Sequence, residues 1–191
     1  MNKRKSVLVN SGFFICAALF ALGVVAGVCA AALLPTETPM GDYVSGLGAN
    51  ADAAFGLRFG SSLLSMGKFH LAALLLAFSL LGAVGAPVVT GIRGFLLGFT
   101  VTSLARYCGA GALLPLLGLF APEFLIAVPC LLLLSAQAVE ASVQLFRRTG
   151  PYGDGFFRRV IAITAATACA AAIDAAIAPA LLKVISAHFP T

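Results

Sequence analysis

A chain of 191 residues that is 61% hydrophobic and only 10% charged, with a mean hydropathy of +1.05, carries more apolar surface than a soluble core of this size can bury. An ordinary water-soluble domain is excluded, and the composition points to an all-α integral membrane protein with a single compact membrane domain. The net charge of +5 does not imply nucleic acid, because the basic residues stand beside apolar spans, where they act as topology determinants.

In chain order, Lys3, Arg4 and Lys5 precede an uncharged stretch, residues 12–34, long enough to cross a hydrocarbon core of about 30 Å. This is the first expected crossing. Ala30, Ala31 and Ala32 would satisfy a small-residue cleavage rule for a signal peptide, but the apolar run exceeds the usual ~7 to 15 residues, so retention is expected.

Residues 35–68 follow as an extracytoplasmic segment. The first half, with Pro35, Pro39, Gly41, Gly46 and Gly48, reads as loop. The second half sets Phe55, Phe59, Leu63 and Met66 at helical spacing, with Arg58, Ser61, Ser62 and Ser65 around the other side, as in an amphipathic helix on the outer leaflet. Such a helix serves either as a lead-in to the next span or as a surface for a partner.

Residues 76–129 are almost wholly apolar but are broken by glycines, prolines, Arg93 and Arg106, which implies a packed polytopic bundle rather than plain anchors. Crossings are expected at 69–87, 94–106, 124–146 and 160–182, with 107–123 a re-entrant hairpin or the continuation of a broken third helix. About five transmembrane helices result. The turn 147–159 holds Arg147, Arg148, Arg158 and Arg159, a cluster suited to anionic lipid or to a cytoplasmic partner. With the N-terminus cytoplasmic, these four join Lys3, Arg4, Lys5 and Arg93 inside, leaving Arg58, Lys68, Arg106 and Lys183 outside, as the positive-inside rule requires. The C-terminal tail, 183–191, is then extracytoplasmic.

Ionisable side chains within the spans are the best functional candidates, since each costs about 2.5 to 3.5 kcal/mol near mid-membrane. Asp174 lies in an alanine-rich span whose own hydrophobicity barely offsets it, and is either a structural polar contact or a proton or ion site. Gln137, Glu140 and Gln144 share one face of the fourth span. Arg93 is expected at the depth of Glu140 and to pair with it; Arg106 is expected near Glu123 or Asp174, snorkelling being the alternative for both arginines. Gly23/Gly27, Gly56/Gly60 and Gly94/Gly98 have the spacing of close helix contacts, within one protomer or across a homodimer.

No catalytic signature stands out. His70 and His188 lie isolated near the expected membrane boundaries, and neither H-E-x-x-H nor G-x-S-x-G occurs. The five cysteines, Cys16, Cys29, Cys108, Cys130 and Cys169, show neither a zinc pattern nor a disulfide framework and read as small packing residues. No cofactor, metal or nucleic-acid partner is expected.

The run Leu80-Leu81-Gly82, Pro87, Gly91-Ile92-Arg93-Gly94-Phe95-Leu96-Leu97-Gly98-Phe99-Thr100, followed by Phe120-Ala121-Pro122-Glu123-Phe124-Leu125-Ile126-Ala127-Val128-Pro129, resembles the stage II sporulation protein M family over about residues 65–145. Arg93-Gly94 stands where that family often has Asn-Gly or Lys-Gly, and Pro122-Glu123 where it often has Pro-Gln. The resemblance implies a non-catalytic scaffold of the cell membrane in the engulfment machinery, assembling with stage II sporulation proteins D and P, which remodel septal peptidoglycan. The rival expectation is a small transporter or permease subunit, with broken helices lining a substrate path. A scaffold should have a packed interior; a permease should have a polar crevice at Glu140 or Asp174.

Overall fold

The computed structural model describes residues 2–34, 54–109, 113–146 and 155–186. These residues form helices without a strand: α1 (Asn2–Leu33), α2 (Phe55–Ala77), α3 (Gly82–Cys108), α4 (Leu113–Pro122), one π turn (Glu123–Ala127), α5 (Val128–Phe146) and α6 (Phe156–Ser186). Among the described residues, five helical stretches are long and apolar enough to cross a membrane, namely Ser11–Leu33, Phe55–Ala77, Gly82–Tyr107, Leu117–Phe146 and Phe156–Leu181. The protein is therefore an all-α, multi-pass membrane bundle. The loop expected in the first half of 35–68 and the tail after 186 lie outside the described residues, as does most of the 147–159 turn.

The first span agrees with the sequence; the second and third are displaced. α2 begins at Phe55 and runs without interruption to Ala77, so the amphipathic stretch is continuous with the second candidate span rather than a separate helix ahead of it. Its break is the turn 78–81, where the Phe78 amide donates to Leu75 and the Ser79 amide to Leu76. Phe78, Ser79, Leu80 and Leu81 include neither glycine nor proline, so hydropathy passes through the turn unmarked. α3 then contains Pro87 in its second turn. A proline there removes one amide donor, from a bond near the helix start, and the bundle tolerates that loss in lipid.

Of the stretch 107–123, Tyr107 and Cys108 complete α3, whereas Leu113–Pro122 form the separate helix α4 rather than a re-entrant hairpin or a continuation of the third helix. Gly109 ends α3 at a φ of 80°, a conformation that suits a residue without Cβ. α4 then runs through the π turn into α5 as one rod. Pro122 and Pro129 flank the π turn, which widens the helix where their missing amides disturb the regular ladder.

α5 lies at the centre and α1 at the edge of the bundle. α2 packs along α5 and α6 in three successive layers: Met66 on Ala127, Ala170 and Ala171; Ala73 on Leu131, Leu134 and Ile163; and Ala77 on Ala86, Ala138 and Ala141. Phe59 and Leu63 pack against the first layer. The side chains expected to dock a partner, Phe59, Leu63 and Met66, thus face the interior, while Phe55 is exposed and Arg58 is half-buried.

α1 and α3 run in the same direction with their backbones in contact. A Cβ on Gly23 would strike the Gly91 carbonyl, one on Gly27 the Phe95 carbonyl, one on Gly94 the Phe20 carbonyl, and one on Gly98 the Val24 carbonyl. Both glycine pairs are therefore used inside the protomer, where close approach maximises dispersion contact in lipid. Outward from this seam the bundle presents large apolar side chains, among them Leu22, Val25, Leu75, Val84, Leu125 and Ile161, as a lipid-facing surface requires.

Candidate functional site

Arg93 stands eleven residues into α3 and Glu123 ten residues past the start of α4, about 15 Å along each rod and hence near mid-membrane. They form an ion pair and are only 8% and 9% exposed. Two charges at this depth are tolerable because each neutralises the other and the guanidinium fork matches a carboxylate. The guanidinium carbon also sits 4.7 Å from the centroid of the Phe69 ring, a cation–π contact strengthened by the absence of water.

The π turn positions the carboxylate. By inserting an extra residue per turn it shifts the facing of the following side chains, so that Glu123 and Ala127 are both buried. His70 adjoins the pair from α2. Its Nδ1–H donates to the Met66 carbonyl at 2.9 Å, and Nε2 lies 3.1 Å from Thr167 Oγ1, which in turn is 3.0 Å from the Ile163 carbonyl. With a neutral imidazole, the single hydroxyl proton of Thr167 serves either Nε2 or the carbonyl. Arg93, Glu123, Phe69, His70 and Thr167 thereby tie α2, α3, the π turn and α6 together at one depth.

Met66, His70, Arg93, Glu123, Ala127, Val128 and Leu131 enclose a cavity of about 10 Å³, near the least volume that holds one water molecule. It has no room for a solute. Among the described residues no three His, Cys, Asp or Glu side chains gather where they could hold a metal ion.

Other expected pairings differ from those found. Arg93 meets Glu123 rather than Glu140, because α3 starts at Gly82 and carries Arg93 to mid-depth instead of the cytoplasmic margin. Glu140 accepts a hydrogen bond from Gln144 at 2.9 Å, whereas Gln137 is buried. Arg106 pairs with neither Glu123 nor Asp174; it donates to the carbonyls of Ala31 and Leu34, closing the end of α1 against α3. Asp174 accepts from the Ser62 hydroxyl at 2.6 Å, a contact that joins α6 to α2. Gly94 and Gly98 belong to the α1–α3 seam, and Pro122 to the start of the π turn.

His70, Thr167 and Phe69 were not legible as site residues. His70 does follow Met66 by one turn and precedes Ala73 and Ala77 on the same stripe, which is the signal that would have turned it inward. Comparison with protein-family models, with curated proteins and with solved structures gave no match.

Proposed function

We propose that this chain is a non-catalytic membrane scaffold of the stage II sporulation protein M kind, which anchors peptidoglycan-degrading partners of the D and P types at the cell membrane. The observation that carries this reading is the packed middle of the bundle among the described residues. The middle of the bundle is filled by a paired Arg93 and Glu123 beside a cavity of about 10 Å³, and Glu140 and Asp174 are bonded to Gln144 and Ser62. Such an interior holds helices in fixed register and so presents fixed outer surfaces.

The orientation proposed from the sequence fits these spans. Lys3, Arg4 and Lys5 precede the first, and Arg147, Arg148, Arg158 and Arg159 gather around the start of the last. Between the first and second spans stand Glu37, Asp42 and Asp52 but no Lys or Arg. A cytoplasmic N-terminus and an extracytoplasmic C-terminus satisfy the positive-inside rule with this distribution.

The test is a detergent pull-down of the tagged chain from sporulating cells, with partners identified by mass spectrometry. Enrichment of D- and P-type proteins is the expected result, and their absence refutes the sporulation scaffold. A small transporter is the second reading, favoured by a carboxylate at mid-depth on a π turn, a device common at functional sites. It requires recovery of a solute-binding protein or an ATPase instead, and loss of solute uptake in Glu123→Gln.

A further inference from the structure

The outward face of α2 is built unlike the rest of the lipid-facing surface. Its span has the lowest mean hydropathy of the five, 1.3 against 1.5 to 2.6, yet Ser61, Leu64, Ser65, Lys68, Leu71 and Leu75 on it are all exposed. A Cβ added to Gly56, Gly60 or Gly67 meets nothing within 4 Å, whereas the matching pairs in α1 and α3 are pressed against backbone. Glycine weakens a helix, and in a membrane its use is to let another helix approach closely. Here no helix among the described residues does so.

Lys68 makes the face expensive to leave in lipid. It stands nine residues before the end of α2, about 13 Å along the helix, at the level of the Arg93 contact with its neighbour Phe69. The nearer membrane face lies beyond the reach of a four-carbon stem, and the Cβ of a helical residue tilts toward the helix N-terminus, here the farther face. Snorkelling therefore gives it little relief. The ammonium sits 5.2 Å from the centroid of the Phe69 ring, and among the described residues no carboxylate pairs with it.

We infer that the outward face of α2, centred on Gly60, Leu64 and Lys68, is the docking surface for a transmembrane helix of a different membrane protein that carries an Asp or Glu at mid-depth. Charge complementarity selects this occupant: an exposed intramembrane cation calls for an anion at the same depth. A second copy of this chain does not fit. A symmetric contact between two copies with the same orientation sets identical residues at equal depth and brings the two Lys68 ammoniums together. The inference rests on the scaffold reading and deepens it by naming the surface through which a partner would be held.

The test uses the full chain, donor-labelled and reconstituted in phosphatidylcholine vesicles. The probe is an acceptor-labelled leucine–alanine transmembrane peptide of about 20 residues with Glu at its centre, compared with versions carrying Gln or Leu there. Energy transfer should report about three- to tenfold tighter association of the Glu peptide than of the Leu peptide, the scale of single polar contacts between membrane helices. Lys68→Leu should abolish the preference, and Gly60→Leu should weaken association of all three. Lys68→Leu makes α2 more apolar, so insertion is not at risk.

Equal association of the three peptides with the native chain overturns the proposal. So does a dimer, counted by single-molecule photobleaching, that Gly60→Leu dissolves and Lys68→Leu strengthens. The two readings fail separately: a pull-down without peptidoglycan enzymes refutes the scaffold, while the peptide preference alone decides the face.

Discussion

At the level of single residues, the Arg93–Glu123 pair governs most of what a substitution would do. Arg93→Met strands the Glu123 carboxylate in the bundle interior and should destabilise by about 3 to 5 kcal/mol; adding Glu123→Gln should restore much of that loss. The measurement is a double-mutant cycle on unfolding in mixed micelles, and additive losses would show that the two side chains do not act as a pair. Asp174→Asn keeps a group able to accept from Ser62 and should change stability by less than about 1 kcal/mol, with unchanged expression and partner recovery. Glu140→Gln should behave alike. If either variant instead abolishes function while the protein stays folded, these carboxylates carry protons or ions. Asp174 was legible in the sequence as an intramembrane charge, and Arg93 and Glu123 as candidates, but Arg93 was expected toward the cytoplasmic margin and Glu123 near the outer face. Their partners were not legible, because pairing depends on depth, and depth followed from ending a span at Pro87.

At the level of helices, the two kinds of glycine pair should respond in opposite ways to the same substitution. Gly23→Ala sets a methyl group against the Gly91 backbone and should cost about 1 to 3 kcal/mol, read as a lowered midpoint of thermal aggregation in detergent. Gly60→Ala projects into open space and should leave that midpoint unchanged or slightly raised. Equal effects would mean that the α1–α3 contact is looser than described. The existence of five crossings was legible because apolar length survives local interruptions. Their boundaries were not, for two physical reasons. Phe78 to Leu81 turn the chain using apolar residues that look like span, and Pro87 and Pro122 sit within helices that packing holds together. The Phe59, Leu63 and Met66 stripe is apolar and helical in sequence and structure alike, but lipid and a neighbouring helix select the same side chains, so the pattern does not distinguish the one from the other.

For the molecule as a whole, orientation can be checked independently of any partner. In a background without the native cysteines, Asp42→Cys should react with a membrane-impermeant maleimide in intact cells, and Thr149→Cys only after permeabilisation. The reverse pattern would invert the proposed topology. The parallel seam between α1 and α3 also bears on how the protein is made. Thr90 lies 3.4 Å from the Cys16 carbonyl and Arg106 donates to the Ala31 carbonyl, contacts that join residues 74 and 75 positions apart. Synthesis at about 5 to 20 residues per second separates their emergence by about 4 to 15 s. Throughout that interval α1 is without its mate, and because a helix satisfies its own backbone groups in lipid, the first span can wait alone and its glycine-lined side gains its packing contacts only when α3 arrives.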